Sequence, residues 1–242
     1  MALVRQEHLI VGTGALDPID LPAVMPADGA RRRTPTDVWC RLLDITVAAV
    51  VLVLVSPVLL LIATVVRFES PGPALYRQRR VGRSGRSFTV NKFRTMRQGA
   101  SHDAHRRFVQ SLIAGEEPPE TAGKPRFKLA SDDRITRVGR LLRRSSLDEL
   151  PQLWNVVRGE MSLVGPRPPI AYEVERYPAH WFARFEVKPG ITGLWQVSGR
   201  CELTLEEMIA LDIEYVRRRS LRLNLSILIR TIPAVVSLRG AS

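Results

Sequence analysis

Apolar residues run almost unbroken from Ile45 to Val66, and a Ser56-Pro57 pair interrupts the run near its middle. Twenty-two helical residues reach about 33 Å, enough to cross the roughly 30 Å hydrocarbon core of a bilayer. Proline removes a backbone donor and crowds the carbonyl four residues back, so the pattern predicts a kink at Pro57. Ser56 is placed to hydrogen-bond a carbonyl that the proline frees, where no water is at hand. Arg41 precedes the run and Arg67 follows it. Basic flanks on both sides favour the same, cytoplasmic, face for both ends, which a helix that enters, breaks at Ser56-Pro57 and returns satisfies. A straight single span and a buried core helix are the competing readings.

After the run, Glu69 to Pro73 forms a turn-rich stop. Two strand-like segments follow, Ala74 to Val81 and Ser87 to Phe93, joined by Gly82-Arg83-Ser84-Gly85-Arg86; they predict a hairpin. Alternation along Lys92-Phe93-Arg94 puts Lys92 and Arg94 on one face. Residues 98–130 are polar and predict a variable loop or a short helix. From Ser131 the period becomes helical, with Ile135, Val138, Leu141 and Leu142 on one side and Arg134, Arg137, Arg140 and Arg144 on the other. Such a face suits a membrane interface or a solvated surface over a core. Leu205 to Arg219 is a second amphipathic pattern. Leu221 to Leu238 is more apolar but carries Arg230, whose insertion at a bilayer centre would cost about 2.5–3.5 kcal/mol. That segment is expected to be interfacial or core-packed. Trp181, Phe182, Phe185 and Trp195 read either as an aromatic belt or as core.

Composition narrows the partners. The 242 residues carry 36 Lys and Arg against 24 Asp and Glu, a net charge of +12. Such an excess calls for an anionic partner: nucleic acid, acidic lipid or a phosphorylated substrate. The two cysteines, Cys40 and Cys201, have neither metal spacing nor a disulfide framework. Residues 1–37, rich in Pro, Ala, Gly and Asp and closed by Arg31-Arg32-Arg33, read as a disordered basic tail. The division is then tail 1–37, re-entrant anchor 38–70 and cytoplasmic-face catalytic domain 71–242. The fold class is α+β and mainly helical: the membrane helix, a small hairpin, and interfacial amphipathic helices around a compact domain.

The richest chemistry lies in Ser145-Ser146-Leu147-Asp148-Glu149-Leu150-Pro151-Gln152-Leu153. Ser146 with Glu149 fits a capping box, but that frame puts Pro151 too far inside a helix. Taking Asp148 as the N-cap instead places Pro151 where its missing N–H is not needed. Asp148 and Glu149 would then sit at a positive helix end. An ionised aspartate near arginines can bind magnesium or attack phosphorus, whereas two acids at a helix start can also be plain capping residues. Downstream, Gly165-Pro166-Arg167-Pro168-Pro169 holds Arg167 in a stiff segment, either a phosphate-binding arm or a rigid loop. Lys188-Pro189-Gly190-Ile191-Thr192-Gly193 could line the same cleft.

Together, Lys92-Phe93-Arg94-Thr95-Met96, Ser146 to Leu153, Gly165-Pro166-Arg167-Pro168, Lys188 to Val197 and the Ser56-Pro57 anchor strongly resemble the bacterial sugar transferase family, over about Val38 to Leu238. Its members are monotopic polyprenyl-phosphate phosphoglycosyl transferases, and this chain resembles the small, core-only type. The resemblance implies that Asp148 attacks the phosphorus next to the sugar of a UDP-sugar and releases UMP. Polyprenyl (undecaprenyl) phosphate then accepts the phosphosugar, which begins polysaccharide or glycoconjugate synthesis. It also implies that Glu149 supports the site and that Mg2+ is required, with Asp148 and Glu149 as candidate ligands. Lys92, Arg94, Arg143 and Arg167 match the substrate-binding basic positions. The implied place is the bacterial cytoplasmic membrane, with the site on the cytoplasmic face and membrane lipids as further partners; a homo-oligomer is left open. Cys40-Arg41, where many members carry two basic residues, and Asn224, a place often taken by Asp, depart from the pattern. No nucleic-acid partner is expected. A membrane-tethered basic module gripping nucleic acid or acidic polymer is the alternative, but it leaves the Asp-Glu pair idle. The identity of the sugar is not encoded in any motif.

Overall fold

The computed structural model describes residues 34–97, 99, 103–113, 134–199 and 203–236. Most of the basic tail, residues 114–133 and Cys201 lie outside them. The architecture is mainly helical α+β, with two small sheets and one long apolar helix near the N-terminus.

Helix α1 spans Pro35–Glu69 and starts inside the segment read as tail. Thr34 and Asp37 form a reciprocal capping box, and Pro35 sits in the first turn, where no N–H is required. The helical assignment runs through Ser56-Pro57 without a break. Ser56 Oγ donates to the Val53 carbonyl at 2.8 Å, the group that Pro57 leaves without its usual donor. This is the repair expected from the sequence.

Residues toward both ends of α1 pack on the same globular body. Toward the first end Cys40, Asp44 and Ala48 are buried. Arg41 donates to the Val156 and Val157 carbonyls, and Asp44 accepts from Ser162 Oγ and Leu163 N. Toward the other end Ile62 and Val66 are buried against Phe93 and Leu142. Between them Val53 and Leu54 are each 72% exposed and Leu60 71%.

The hairpin forms as expected, with β1 (Leu75–Val81) antiparallel to β2 (Ser87–Phe93). Helix α2 (Asp103–Ile113) accounts for part of the polar segment. Helix α3 (Arg137–Ser145) is shorter than its sequence pattern, and Leu141 does not share the buried side with Leu142. At 100° per residue from Arg137, position 141 falls among the exposed Arg137, Arg140 and Arg144. Helix α4 (Gln152–Arg158) leads into β3 (Ser162–Val164), which pairs in parallel with β4 (Gly190–Thr192). Here Gly190 approaches the Gly165 backbone so closely that a Cβ would lie 2.1 Å from the Gly165 nitrogen. The two glycine motifs are therefore the facing sides of one crossing. Between them lies α5 (Ala171–Val174); α6 (Leu205–Arg218) and α7 (Leu221–Val236) complete the chain.

The main core gathers Phe88, Val90, Leu153, Val156, Met161, Val164, Tyr215 and Ile227. A second cluster contains Trp181, Phe182 and Phe185, which settles those aromatics as core. Helix α7 is packed along one side, through Asn224 and Ile227, and leaves Leu225, Ile229 and Ile232 exposed on the other. Arg230 reaches the Val197 carbonyl.

Candidate active site

The site is assembled where the end of α3, the start of α4 and the last residues of β2 meet. Ser146 ends α3 in the left-handed region (φ 57°), which turns the chain sharply into a 3-10 turn over Leu147–Glu149. The turn is closed by Glu149 N donating to Ser146 O and Leu150 N to Leu147 O. Neither capping frame drawn from the sequence is realised: Pro151 itself precedes α4, with helical backbone angles, and Asp148 lies in the turn before it. A proline without an N–H can begin α4 only after the tighter turn has taken up Leu147 and Glu149.

Two cross-chain devices hold this turn against β2. Asn155, buried on α4, accepts from Asn91 N and Nδ2 and donates to Thr89 O and Glu160. It satisfies the edge of β2 as a strand would. On the other side α3 is pressed against the end of β2, since a Cβ on Gly139 would lie 2.1 Å from Thr95 O. Thr95 in turn accepts from Arg143 Nε at 2.8 Å through its hydroxyl.

Lys92, at the end of β2, donates to Glu149 Oε1 at 2.6 Å. Burial alone would raise the Glu149 carboxyl. The Lys92 ammonium and then the Arg167 guanidinium outweigh that and hold it down, to about 2. Asp148 is different. Burial, reinforced by the neighbouring Glu149 charge, pushes it up to about 6 against the pull of Lys92 and Arg143. Among the described residues its carboxylate has no ion-pair partner at bonding distance. Adjacent acids driven apart in this way mark a division of labour: one is a fixed charge, the other a poised group.

Of the positions singled out in the sequence, the fold therefore brings together Asp148, Glu149, Lys92, Arg143 and Arg167. Arg94 is placed elsewhere. It is buried and donates to the carbonyls of Val66, Ser70 and Pro71, where it closes the C-terminal end of α1. One step past β2, its side chain follows the strand-to-helix junction and not the Lys92 face. Arg80 was not singled out, yet it belongs to the site: it is buried, donates to Gln78 and to the Pro168 carbonyl, and lies within electrostatic reach of Glu149 and Lys92. The only sequence signal was its period-two spacing from Gln78 along β1.

The place of the turn matters. Leu147, next to Asp148, packs into the cluster of Ile62, Val66, Phe93 and Leu142, together with Leu59 and Ala63 of α1. The poised carboxylate thus sits at the foot of the apolar helix, with Lys92 and Arg143 acting on it and Arg167 and Arg80 acting on its neighbour Glu149. Its environment suits a phosphate ester brought to a carboxylate nucleophile.

The sequence profile of the bacterial sugar transferases matches residues 36–238. The chain belongs to the bacterial sugar transferase family. It is 41% identical over 224 residues to the exopolysaccharide production protein ExoY of Rhizobium meliloti, covering 93% of each chain. A Caulobacter vibrioides protein named UDP-glucose:undecaprenyl-phosphate glucose-1-phosphate transferase is 42% identical over 222 residues, 88% of this chain and 75% of that one. The undecaprenyl-phosphate galactose phosphotransferase of Salmonella typhimurium is 39% identical over 201 residues, 83% of this chain and 41% of its own length.

For a sugar transferase the donor set around the turn also bears on metal binding. Among the described residues no three His, Cys, Asp or Glu side chains converge. Asp148 and Glu149 alone cannot cage a cation. One or two carboxylates are what Mg2+ commonly takes from a protein, the rest of its shell being water and substrate phosphates.

Proposed function

We propose that this sugar transferase moves a sugar 1-phosphate from a UDP-sugar to undecaprenyl phosphate, releasing UMP, as the first committed step of an exopolysaccharide or related glycoconjugate. The observation that carries the reading is the position of Asp148. It is a carboxylate free of ion pairing among the described residues, acted on by Lys92 and Arg143 and next to Glu149, on which Lys92, Arg167 and Arg80 act, at the foot of the exposed apolar helix. A water-soluble donor reaches the basic side; a lipid phosphate arrives along the helix.

In the first step an Asp148 carboxylate oxygen attacks the phosphorus that carries the sugar. The bond from that phosphorus to the bridging oxygen breaks, and UMP leaves with the electron pair. In the second step an oxygen of undecaprenyl phosphate attacks the same phosphorus. The bond to Asp148 breaks, which regenerates the carboxylate and yields the lipid diphosphate sugar. Glu149 stays ionised throughout, holding Lys92 in place. Arg143 and Arg167 balance the spreading phosphate charge. Bound through Asp148 and Glu149, Mg2+ would supply further neutralisation of the diphosphate. Relatives named for glucose and for galactose transfer leave the sugar itself open.

The test is direct. Incubated with a UDP-sugar and no lipid acceptor, the protein is expected to gain the mass of one sugar phosphate on the peptide containing Asp148. Addition of undecaprenyl phosphate should discharge it. Turnover with no adduct on that peptide rejects the covalent route.

The same reading places the protein on the cytoplasmic face of the inner membrane, with α1 dipping into the bilayer and returning. Straight, its 35 residues would reach about 52 Å, yet residues toward both of its ends pack on one body, while large apolar side chains stay exposed along its length. Exposed Leu141, Trp154, Leu225, Ile229 and Ile232 add apolar surface for the interface. Single cysteines introduced beside Arg41 and Arg67 in intact cells are expected to react only with membrane-permeant reagents. Labelling of one flank from the periplasm refutes the re-entrant topology.

A further inference from the structure

A buried ion pair lies behind the proline-rich arm, outside the site described above. Arg184 and Asp212 are 6% and 1% exposed and are bonded at 2.5 Å. Neither belongs to any motif that suggested chemistry. A buried pair of this kind is weak support for stability, because desolvation of both charges offsets their attraction, and similar-sized apolar side chains often serve the fold as well. Its presence calls for another reason.

That reason lies in what else Arg184 holds. Its Nη2 donates at 2.8 Å to the carbonyl of Arg167, and its Nη1 donates to the Tyr177 hydroxyl at 3.1 Å. Asp212 also feels the Arg167 main-chain amide. The arm Pro166-Arg167-Pro168-Pro169 has three prolines, so apart from the Arg167 N–H beside Asp212 it is fastened through its carbonyls. All four carbonyls are taken: Pro166 O by Gly190 N, Arg167 O by Arg184, Pro168 O by Arg80 and Pro169 O by Val81 N. Two of these donors are backbone groups fixed by strands. Arg184 is a side chain, and Asp212 and Tyr177 determine where it points. The Arg167 side chain is exposed and its charge acts on Glu149 and Lys92, while its main chain is gripped by Arg184.

We propose that Arg184 and Asp212 are positioning residues for phosphoryl transfer, clamping the main chain of Arg167 so that its guanidinium is held over the Asp148–Glu149 turn. The proposal rests on Arg167 serving the phosphates, as in the function proposed above. A planar guanidinium is needed at position 184 because it must serve Asp212, Tyr177 and the Arg167 carbonyl at once; an ammonium does not reproduce that fork. Loosening the arm by about 1 Å is enough to cost on the order of 100-fold in rate.

The experiment is a double-mutant cycle on the full chain in detergent, read as UMP release. Arg167→Ala, Arg184→Lys and their combination are compared, each with its melting temperature. Arg184→Lys is expected to lower kcat for UMP formation by about 10- to 100-fold with little change in KM for the UDP-sugar. Combined with Arg167→Ala, it should add almost nothing to the loss caused by Arg167→Ala alone, because the clamp acts only through that residue. A loss that multiplies in the double variant means a general structural role and overturns the proposal. A second variant, Arg184→Met with Asp212→Leu, removes both charges together and so guards against misfolding. It should melt within a few degrees of the wild type yet show the same fall in kcat. Full activity in that variant also overturns the proposal. Should Arg167→Ala itself be fully active, the phosphate role of Arg167 fails, a result distinct from additivity in the cycle.

Discussion

Asp148→Asn is expected to lower UMP formation by at least about 1,000-fold while making the protein harder to unfold at pH 8. The first effect follows from removing the attacking oxygen, a loss that no neighbouring group can replace. The second follows from the cost of keeping that oxygen charged. A carboxyl ordinarily near 3.8 is held at about 6 by burial and by the charge of Glu149. The folded state therefore binds this proton more tightly than the unfolded chain does. Its contribution to stability is fully present below about pH 4 and is lost as pH rises through 6. At pH 8 the ionised Asp148 costs about 3 kcal/mol, and asparagine relieves that cost. Thermal melting of the two proteins should show the variant several degrees higher at pH 8 and the gap closing toward pH 4. The rate carries the same signature. The wild-type kcat/KM for the UDP-sugar should fall about tenfold per pH unit below 6 and level off above 7, because only the carboxylate attacks. If Asp148→Asn kept more than about a tenth of wild-type turnover, the assignment of the nucleophile would fail.

The second large effect concerns the ion pair beside it. Lys92→Ala removes the principal partner of Glu149 and leaves a half-buried carboxylate facing Asp148. Activity is expected to drop about 100-fold or more, and Glu149→Ala should do similar damage, since the pair acts as a unit. Removing one partner of a fully buried pair costs about 3–5 kcal/mol. With 18% and 25% of the two side chains exposed, about 2 kcal/mol is the expectation here. The pH dependence has the opposite sense to that of Asp148. Glu149 is held at about 2, below its ordinary 4.5, so its contribution is present above 4.5 and is lost as pH falls toward 2. In Lys92→Ala that acid-side loss should shrink. UMP assays at pH 7 paired with urea melts at pH 3 and pH 7 measure both effects. Half-normal turnover in Lys92→Ala would show that the charge pair is dispensable.

Much of this site was legible before any coordinates. The Ser56-Pro57 repair and the hairpin limits follow short-range patterns, and contiguous motifs single out Lys92, Asp148, Glu149 and Arg167 one by one. The local frame of Asp148 was misread: both capping schemes assumed a helix where a tight turn stands, and the field acting on the carboxyl comes from burial and Glu149. Alternation puts Arg94 on the face of Lys92 and the resemblance implies a substrate-binding role, but the strand ends at Phe93 and the next side chain turns toward α1. Asn155, Arg80 and the Arg184–Asp212 pair gave no usable sign, because each acts on residues far away along the chain. The three-residue strands β3 and β4 are too short for any period to show.

By itself the sequence determined the elements and the chemistry available: a bilayer-length apolar helix with a proline and its remedy, an excess of cations, and two adjacent acids. Periodicity, capping and composition are properties of neighbours along the chain, and neighbours suffice to read them. The tertiary structure alone decided which cations meet which acid, that residues toward both ends of the helix pack on one body, and that one carboxyl is raised while the next is lowered. Those outcomes depend on distance and desolvation between segments far apart in the chain, and only packing sets either of them.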